Sequence, residues 1–457
     1  KTQALLIPRE TYALHTLLMD TKTTIDNRVP FNYGWVAAIS GFFMHLCLGT
    51  MYCWGALTPY ITSYLRKYDP SLTYRDTVIV FLLCPAAQTI GMPIGGAIER
   101  RYGPRVTALV GVWFMSFGVF ISYYATSLLQ LVSTYGFMYG IGMGIAYMNP
   151  IQCGMRWMPK RKGIISGIVV TGFGLGGAMF NVIGSKVCNP DNIASDPYYG
   201  PEVADQVPKM FMILGTLYAI ITTLASLALV DPTPEDLARL NPDRELNQAL
   251  LKAKAADNDD GETDLCGMLQ TSTGYILWAM LAMSCCSGIL VISSYKTFAQ
   301  THGYSDGFLT IMGSFALIIN GLGRMAYGVL IDTFGYKSSL LMENLLQVVF
   351  TTSFLFSVSN PILYTFVVCG MITNYGGNFA MFPTVTAELF GTKNVGSNYG
   401  FIFSGFAVSG ISLKLALGSP QLSFETVVYG CGVLAGISAL CTTLLPSPPN
   451  AVKEHRV

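Results

Sequence analysis

The chain has 457 residues, of which 52% are hydrophobic and only 12% are charged, and its mean hydropathy is +0.47. Ordinary soluble domains carry about 25% charged residues, so this composition excludes a typical soluble protein. Lysine plus arginine total 27 and aspartate plus glutamate total 26, a net charge of +1 that argues against an acidic tail or a nucleic-acid-binding surface.

Twelve stretches are long and apolar enough to be transmembrane helices, since a helix needs about 20 mainly apolar residues to cross a bilayer. Glycine and proline occur inside them, which packed membrane helices tolerate better than soluble helices do. A large soluble helical protein would instead show polar faces at helical spacing. The predicted helices occupy residues 34–60, 76–98, 104–126, 128–152, 163–186, 208–230, 274–299, 307–332, 338–358, 361–387, 396–418 and 424–446.

Basic residues concentrate in the short loops that follow even-numbered predicted helices. Loops rich in lysine and arginine stay on the cytoplasmic side of a membrane. These loops, both termini and the central connection are therefore predicted to face the cytoplasm, or the equivalent side of an organelle. The residues are Arg100, Arg101, Arg105, Arg156, Lys160, Arg161, Lys162, Lys337 and Lys393.

The same pattern predicts the domain organisation of an integral, multi-pass protein of the plasma membrane or of an organelle inner membrane. The central linker is rich in proline and acidic residues, and 234–255 within it is compatible with a surface helix. The predicted parts are an N-terminal cytoplasmic segment 1–33, an N-terminal six-helix bundle 34–230, a central cytoplasmic linker 231–270, a C-terminal six-helix bundle 271–446 and a cytoplasmic tail 447–457.

The two halves of the sequence repeat at a constant offset, the one that separates Gly95 from Gly328. Seven identical pairs in register indicate that six helices have been duplicated in parallel, as in transporters whose halves are related by an axis along the membrane normal. The sequence therefore predicts an all-α membrane fold of two six-helix pseudo-symmetric bundles around a shared site. The pairs are Gly95/Gly328, Pro150/Pro383, Gly163/Gly396, Gly167/Gly400, Gly172/Gly405, Phe173/Phe406 and Gly177/Gly410.

Two loops carry a recognisable signature. The first reads Gly95-Gly-Ala-Ile-Glu-Arg-Arg-Tyr-Gly-Pro-Arg105, and its repeat partner reads Gly328-Val-Leu-Ile-Asp-Thr-Phe-Gly-Tyr-Lys337. Both resemble the G-x-x-x-D-R-x-G-R/K loop of the major facilitator superfamily, although the first has one extra residue before Gly103 and the second has Thr333 in place of arginine. The resemblance implies a major facilitator fold and a set of gating residues: Glu99, Arg100, Arg101, Arg105, Asp332, Lys337 and Arg156.

Two further stretches resemble one branch of that superfamily. They are Arg156-Trp-Met-Pro-Lys-Arg-Lys-Gly163 with the glycines that follow it, and Phe382-Pro-Thr-Val-Thr-Ala-Glu-Leu-Phe-Gly-Thr-Lys-Asn-Val-Gly-Ser-Asn-Tyr-Gly400. Both are similar to the oxalate:formate antiporters and their monocarboxylate-transporter relatives. The resemblance implies secondary active transport of small organic anions by alternating access.

Arg324 is the deepest cation in the predicted helices, about 7 Å from the centre of the eighth. An arginine at that depth costs about 2.5–3.5 kcal/mol, so it needs a partner or a purpose. Lys296 and Lys414 lie nearer helix ends, where they can reach water. We expect no aspartate or glutamate in the interior of any helix, since Glu99, Asp332, Glu343, Glu388 and Glu425 all lie at or near helix ends, and we expect the missing anion to be the substrate. Backbone carbonyls or a helix-end acid remain the alternative partners.

The antiporter resemblance supports this role, because that family binds its anion through an arginine in an Asn-Gly-x-x-Arg stretch. Helical spacing places Asn320 one turn from Arg324, and the family lines its pocket with tyrosines from helices 1 and 4. Structural hydrogen bonds between helices are an equal alternative for the amides. The predicted substrate-binding residues are Arg324, Tyr52, Tyr147, Asn320, His45, Gln88, Asn374 and Asn378.

Two residues that differ from their counterparts in the resembled carriers bear on the substrate and on whether transport is coupled to protons. Phe406 takes the position of a second cation in the antiporter that handles oxalate, which favours monoanions such as formate, pyruvate or lactate. Asn320 takes the position of the acid in proton-coupled carriers, which favours anion exchange, with proton symport through His45 as the alternative. A non-transporting receptor or structural subunit is the other class. We expect no enzyme activity, cofactor or metal site, and a monomer with or without an accessory chain.

Overall fold

The computed structural model describes residues 33–240 and 262–446, apart from Asn192 and 194–197. The regular structure of these residues is helical. The predicted terminal segments, except Tyr33, and most of the predicted linker lie outside the described residues. Of the predicted surface helix 234–255, the structure describes Pro234–Leu240, which is helical.

Six long helical segments form the N-terminal half. The first, α1, consists of Tyr33–Leu48, a 3₁₀ segment Gly49–Cys53 and Trp54–Leu65. One helix, Tyr74–Ile121, supplies both α2 (74–102) and α3 (104–121). The remaining three are α4, which runs through Leu128–Leu131, a π-helical segment Val132–Met138 and Tyr139–Trp157, then α5, Lys162–Cys188, and α6, Val207–Leu227.

Six more helices form the C-terminal half. They are α7, Ser272–Gln300; α8, Asp306–Phe334; α9, Tyr336–Ser357; α10, Pro361–Phe390; α11, Val395–Gly418; and α12, Phe424–Leu444. Short helices at Pro201–Ala204, Pro234–Leu240 and Leu265–Leu269 lie in the connections. The twelve numbered segments correspond one to one with the predicted helices.

Ten helices of the described chain are long and apolar enough to cross a membrane. The difference from twelve has two causes. The span Asp76–Tyr124 counts once although it contains both α2 and α3, and α10 is not among the ten. Helix α10 is largely buried and carries Asn374 and Asn378 in its interior, and a helix enclosed by protein has less need of apolar residues than one facing lipid.

The predicted repeat is visible in the backbone. Helix α10 begins and ends one repeat offset after α4, and α11 begins one repeat offset after α5. The loops after α2 and α8 each contain a glycine with positive φ, Gly103 at 77° and Gly335 at 76°. Glycine adopts positive φ at no steric cost, so in both loops the chain turns from one helix directly into the next. The predicted fold of two pseudo-symmetric six-helix bundles is confirmed.

Glycines bring the two bundles into contact at the helix ends predicted to be cytoplasmic. Gly163 of α5 lies so close to Gly328 of α8 that a Cβ atom on Gly163 would be 2.2 Å from the Gly328 carbonyl oxygen. The repeat mate of Gly163, Gly396 of α11, faces Gly96 of α2. The two related contacts, α5 with α8 and α11 with α2, close this side of the interface.

Candidate functional site

The Arg324 side chain lies at the interface between the bundles and is only 1% exposed. It lies about 6 Å along α8 from the helix midpoint, using a rise of about 1.5 Å per residue. Its Nη1 donates to the Val170 carbonyl of α5 at 3.2 Å, and its Nε donates to Asn320 Oδ1 at 3.3 Å. Its Nη2 has no hydrogen-bond partner among the described residues. Part of the guanidinium fork is therefore left unpaired by the described residues.

Two aromatic rings flank the guanidinium. The Arg324 Cζ atom lies 5.7 Å from the ring centre of Phe173 on α5 and 5.1 Å from that of Phe379 on α10. Cation–π contacts of this kind contribute up to about 2 kcal/mol when desolvated. The rings come from different bundles, so both bundles contribute to holding one charge.

Arg324 forms no ion pair within the part of the chain that the structure describes. Ion pairs among the described residues include those of Lys67 with Asp205, and of Arg156 with Glu99 and Asp231. The partners of Arg324 are a backbone carbonyl and a neutral amide, which accept hydrogen bonds but do not neutralise a charge. A buried cation without a fixed counter-ion is costly, so this site favours an anionic ligand.

Three predicted site residues of the N-terminal bundle meet around Phe173. The His45 ring packs on the Tyr147 ring at 4.6 Å, and His45 Nε2 is 2.9 Å from the Tyr147 carbonyl oxygen. Tyr147 and Tyr52 lie 5.6 and 5.5 Å from the Phe173 ring. These side chains reach the neighbourhood of Arg324 through Phe173.

Aromatic side chains of the C-terminal bundle surround Phe379. Its ring centre lies 5.1 Å from Tyr375, 5.5 Å from Phe406 and 6.1 Å from Phe403. Phe403 also approaches Tyr147 at 6.1 Å across the interface. The neighbourhood of Arg324 is thus largely aromatic, and Phe406 supplies a ring where a second cation would otherwise stand.

The predicted amides have different positions. Asn320 contacts Arg324 and also donates to the Ile372 carbonyl of α10. Gln88 is buried, and its Nε2 lacks a partner among the described residues. Asn374 and Asn378 do not contact Arg324. They donate to the Glu343 backbone oxygen and to Glu343 Oε1, at 3.2 and 3.3 Å.

The expectation that no acid lies inside a helix is wrong, because Glu343 is fully buried in the C-terminal bundle. Helix α9 begins at Tyr336 and ends at Ser357, so Glu343 is about 5 Å along the axis from its midpoint. Glu343 is therefore at least as close to the midpoint of α9 as Arg324 is to the midpoint of α8. The number of residues between Glu343 and the predicted helix end did not reveal its burial. The helix begins earlier than predicted, and neighbouring helices cover it.

One predicted gate is an ionic cluster in the N-terminal bundle. Arg156 Nη1 lies 2.6 Å from Glu99 Oε1 and 2.8 Å from Asp231 Oδ2. Gln152 donates to Glu99 Oε2 at 3.1 Å and to the Lys393 carbonyl at 3.0 Å. The cluster ties α2, α4 and the connection after α6 together, and Gln152 extends it to the other bundle.

The second predicted gate crosses the interface directly. Asp332 of α8 accepts hydrogen bonds from the backbone N–H groups of Gly163 and Ile164 at 2.7 and 2.8 Å. These groups belong to the first turn of α5, where the helix dipole favours an anion. Arg100 of α2 donates to Asn394, which precedes α11, and to Ser397 in the first turn of α11, both at 3.2 Å.

The other three predicted gating residues have fewer contacts. Arg105 donates to the Leu229 carbonyl at 3.2 Å. Arg101 is exposed, with its guanidinium 5.4 Å from the Tyr102 ring, and Lys337 is partly exposed. The structure therefore places these three outside the direct contacts between the bundles described above.

Comparison with known proteins identifies the family. The family model described as Major Facilitator Superfamily matches residues 8–181, 198–413 and 277–456. The chain belongs to this superfamily. It is an integral, multi-pass membrane transporter and not an enzyme.

Relatives and solved structures support the branch and the fold. Apicoplast pyruvate carrier 1 of Toxoplasma gondii is 27% identical over a gapped alignment of 502 positions, which covers 92% of this chain and 90% of the carrier. The oxalate:formate antiporter of Oxalobacter formigenes is 24% identical, with 90% and 91% covered. A double tryptophan mutant of XylE superimposes with a TM-score of 0.71 at 15% identity, covering 92% of this chain and 97% of that one. The predicted resemblance to this branch of the superfamily is confirmed.

Sequence reasoning missed the two rings beside the guanidinium, Phe173 and Phe379. A signal for the first was present, because Phe173 and Phe406 form one of the repeat pairs and both lie at the interface of this transporter. No comparable signal marks Phe379, which is one of 26 phenylalanines. Its role depends on which face of α10 meets α8.

Proposed function

We propose that this transporter carries small monocarboxylates such as pyruvate, lactate and formate, and binds their carboxylate at Arg324. The observation that supports the proposal is the buried guanidinium between the bundles, which has a free Nη2 and no ion pair among the described residues. Of the five N–H donors of an arginine, Nε and Nη1 each use one on the protein. The remaining donors on Nη1 and Nη2 form a fork that matches the two oxygens of a carboxylate.

The surroundings of Arg324 favour a small anion with one charge. Phe173 and Phe379 offer apolar faces to a short carbon chain, and Phe406 supplies no second cation. The similar proteins are named for pyruvate and for oxalate and formate, which are all small carboxylates. The names support a small carboxylate, and the single cation among apolar rings favours a monocarboxylate over a dicarboxylate.

Exchange of one anion for another is the transport mode that the site favours. Arg324 contacts both bundles, so the bundles cannot rock past each other without moving the charge between environments. A bound carboxylate neutralises that charge during the movement, whereas an empty site leaves it uncompensated. Loaded carriers are therefore expected to reorient faster than empty ones whenever no second group offsets the charge of Arg324 in the empty carrier. Proton symport is the second candidate, and the observation that favours it is the buried carboxyl group of Glu343, which adds a proton-binding group to the predicted His45.

The test is counterflow by the purified chain in lipid vesicles, with labelled pyruvate outside and unlabelled anions inside. We expect internal pyruvate, lactate and formate to stimulate uptake strongly and oxalate to stimulate it weakly. A chain that is a receptor or a structural subunit would bind a carboxylate, detected as a rise in melting temperature, without any counterflow. Strong uptake of oxalate with no uptake of monocarboxylates would contradict the proposed specificity.

Phe406→Lys is expected to shift specificity toward oxalate. Phe406 packs against Phe379, which touches the guanidinium, so a lysine there adds a second cation beside the site. We expect the ratio of oxalate to formate counterflow to rise by about tenfold, equivalent to about 1.4 kcal/mol. Phe406→Leu is the control, because it removes the ring without adding charge. An equal change in both variants would show that the ring, and not the missing cation, sets the specificity.

A further inference from the structure

A buried carboxyl group lies behind the substrate site in the C-terminal bundle. Glu343 of α9 is fully buried, and its carboxyl oxygens accept from Ser284 of α7 at 3.3 Å and from Asn378 of α10 at 3.3 Å. It forms no ion pair within the described chain. Such a group is costly as an anion unless a proton or another cation neutralises it.

The groups that face Glu343 come from the helices packed against α9, which are α7, α8, α10 and α12. Cys285 of α7 and Tyr327 of α8 are the titratable neighbours within electrostatic range in the described structure. Helix α10 contributes the amides of Asn374 and Asn378. Apart from Arg324, the charged side chains described on these four helices lie toward their ends: Lys296, Asp332, Glu388 and Glu425.

A polar stripe extends from Glu343 along α9. Gln347 and Thr351 follow at intervals of four residues, so they share a helix face with it, and all three are fully buried. Both side-chain polar atoms of Gln347 and the hydroxyl of Thr351 lack hydrogen-bond partners among the described residues. Buried polar atoms without partners are rare and call for an explanation. Here they offer donors and acceptors along a line from Glu343 toward the Ser357 end of the helix.

One turn of α10 connects Glu343 to the substrate site. Asn378 donates to the Glu343 carboxyl, and the next residue, Phe379, packs on the Arg324 guanidinium. One turn earlier, Asn374 donates to the Glu343 backbone and accepts from Tyr327, which lies on α8 three residues after Arg324. A change in charge at either site therefore acts on the same segment of α10.

We propose that Glu343 is a proton-binding site that couples net carboxylate transport to one proton, an inference that rests on the proposed function. In the empty carrier, an ionised Glu343 and Arg324 do not form a pair, but together they leave the buried region around α10 with no net charge. When a carboxylate binds Arg324, a hydronium ion transfers its proton to a Glu343 oxygen: one O–H bond of hydronium breaks, an O–H bond to Glu343 forms, water is released and the interior stays neutral. Both the loaded and the empty carrier can then reorient without an uncompensated charge.

The test compares Glu343→Gln with the wild type in vesicles. A carrier that moves one proton with each monoanion accumulates the anion inside the vesicles about tenfold for each pH unit by which the outside is more acidic than the inside. We expect Glu343→Gln to lose this accumulation, because glutamine cannot release or bind the proton, and to keep counterflow at equal pH. Glu425→Gln is the matched control, since Glu425 is exposed in the first turn of α12.

A second measurement does not depend on transport. Infrared difference spectra of the purified, substrate-free protein on acidification should contain a protonated-carboxyl band that Glu343→Gln lacks and Glu425→Gln keeps. If the band behaves in this way but no carboxylate is transported, the proton site stands and the proposed function fails.

Three results would overturn the proton site. The first is full pH-driven accumulation by Glu343→Gln. The second is loss of counterflow together with a fall in melting temperature, which would indicate a structural carboxyl. The third is accumulation by the wild type that follows a sodium gradient and ignores pH.

Discussion

Arg324→Lys is expected to lower carboxylate counterflow by about 10–150-fold. Lysine keeps the positive charge but loses the planar fork, so it cannot hold both oxygens of a carboxylate in one geometry. It also leaves Asn320 Oδ1 and the Val170 carbonyl without their present donors. A hydrogen bond to a charged group contributes about 1.5–3 kcal/mol, which sets the scale of the loss. The measurement is the initial rate of labelled pyruvate counterflow over a range of concentrations.

Arg239→Lys is the matched control for that substitution. Arg239 is exposed on the short helix Pro234–Leu240, which contacts α4 of the N-terminal bundle, so its replacement should leave counterflow and melting temperature at wild-type values. If Arg324→Lys kept wild-type uptake, the bound carboxylate would need only a positive charge. Two-point binding at Arg324 would then be wrong.

The fold could be predicted because each of its main features leaves a local mark in the sequence. Twelve apolar stretches gave the helices, and the constant offset between the repeat pairs gave the two bundles. The same offset holds at both ends of α4 and α10, from Leu128 and Trp157 to Pro361 and Phe390. Both loop glycines, Gly103 and Gly335, have the positive φ that permits a direct turn between helices.

The candidate site could be predicted only in part, because burial is a property of the packed bundle. Arg324 stood out since a charge interrupts an apolar stretch. The partners of Asn374 and Asn378 depend on which face of α10 meets α9, and a single sequence does not give that rotation. Glu343 was assigned to a helix end by counting residues, while neighbouring helices cover it completely. The site therefore consists of one residue that the sequence marks and several that packing selects.

The glycine contact between α5 and α8 gives the second prediction with a large effect. Gly163→Val is expected to push the helices apart, because a Cβ atom there would lie 2.2 Å from both the Gly328 carbonyl oxygen and Ile331 Cγ2. Overpacking costs about 1–3 kcal/mol, which shifts a two-state population by about 5–150-fold. The cost falls only on the arrangement in which this side is closed. We expect counterflow to slow accordingly, since every transport cycle passes through that closed arrangement.

Reagent access to the contact separates a shifted equilibrium from misfolding. Ile331 is 2% exposed, so a cysteine introduced by Ile331→Cys should react slowly with thiol reagents in the parent and faster when Gly163→Val is added. Gly410→Val is the control, because a Cβ atom at that position meets nothing within 4 Å and the same side chain is added to a related helix. Slow labelling and normal counterflow in Gly163→Val would mean that α5 and α8 accommodate the valine. The closed contact would then not be a barrier that the carrier must form and break in each cycle.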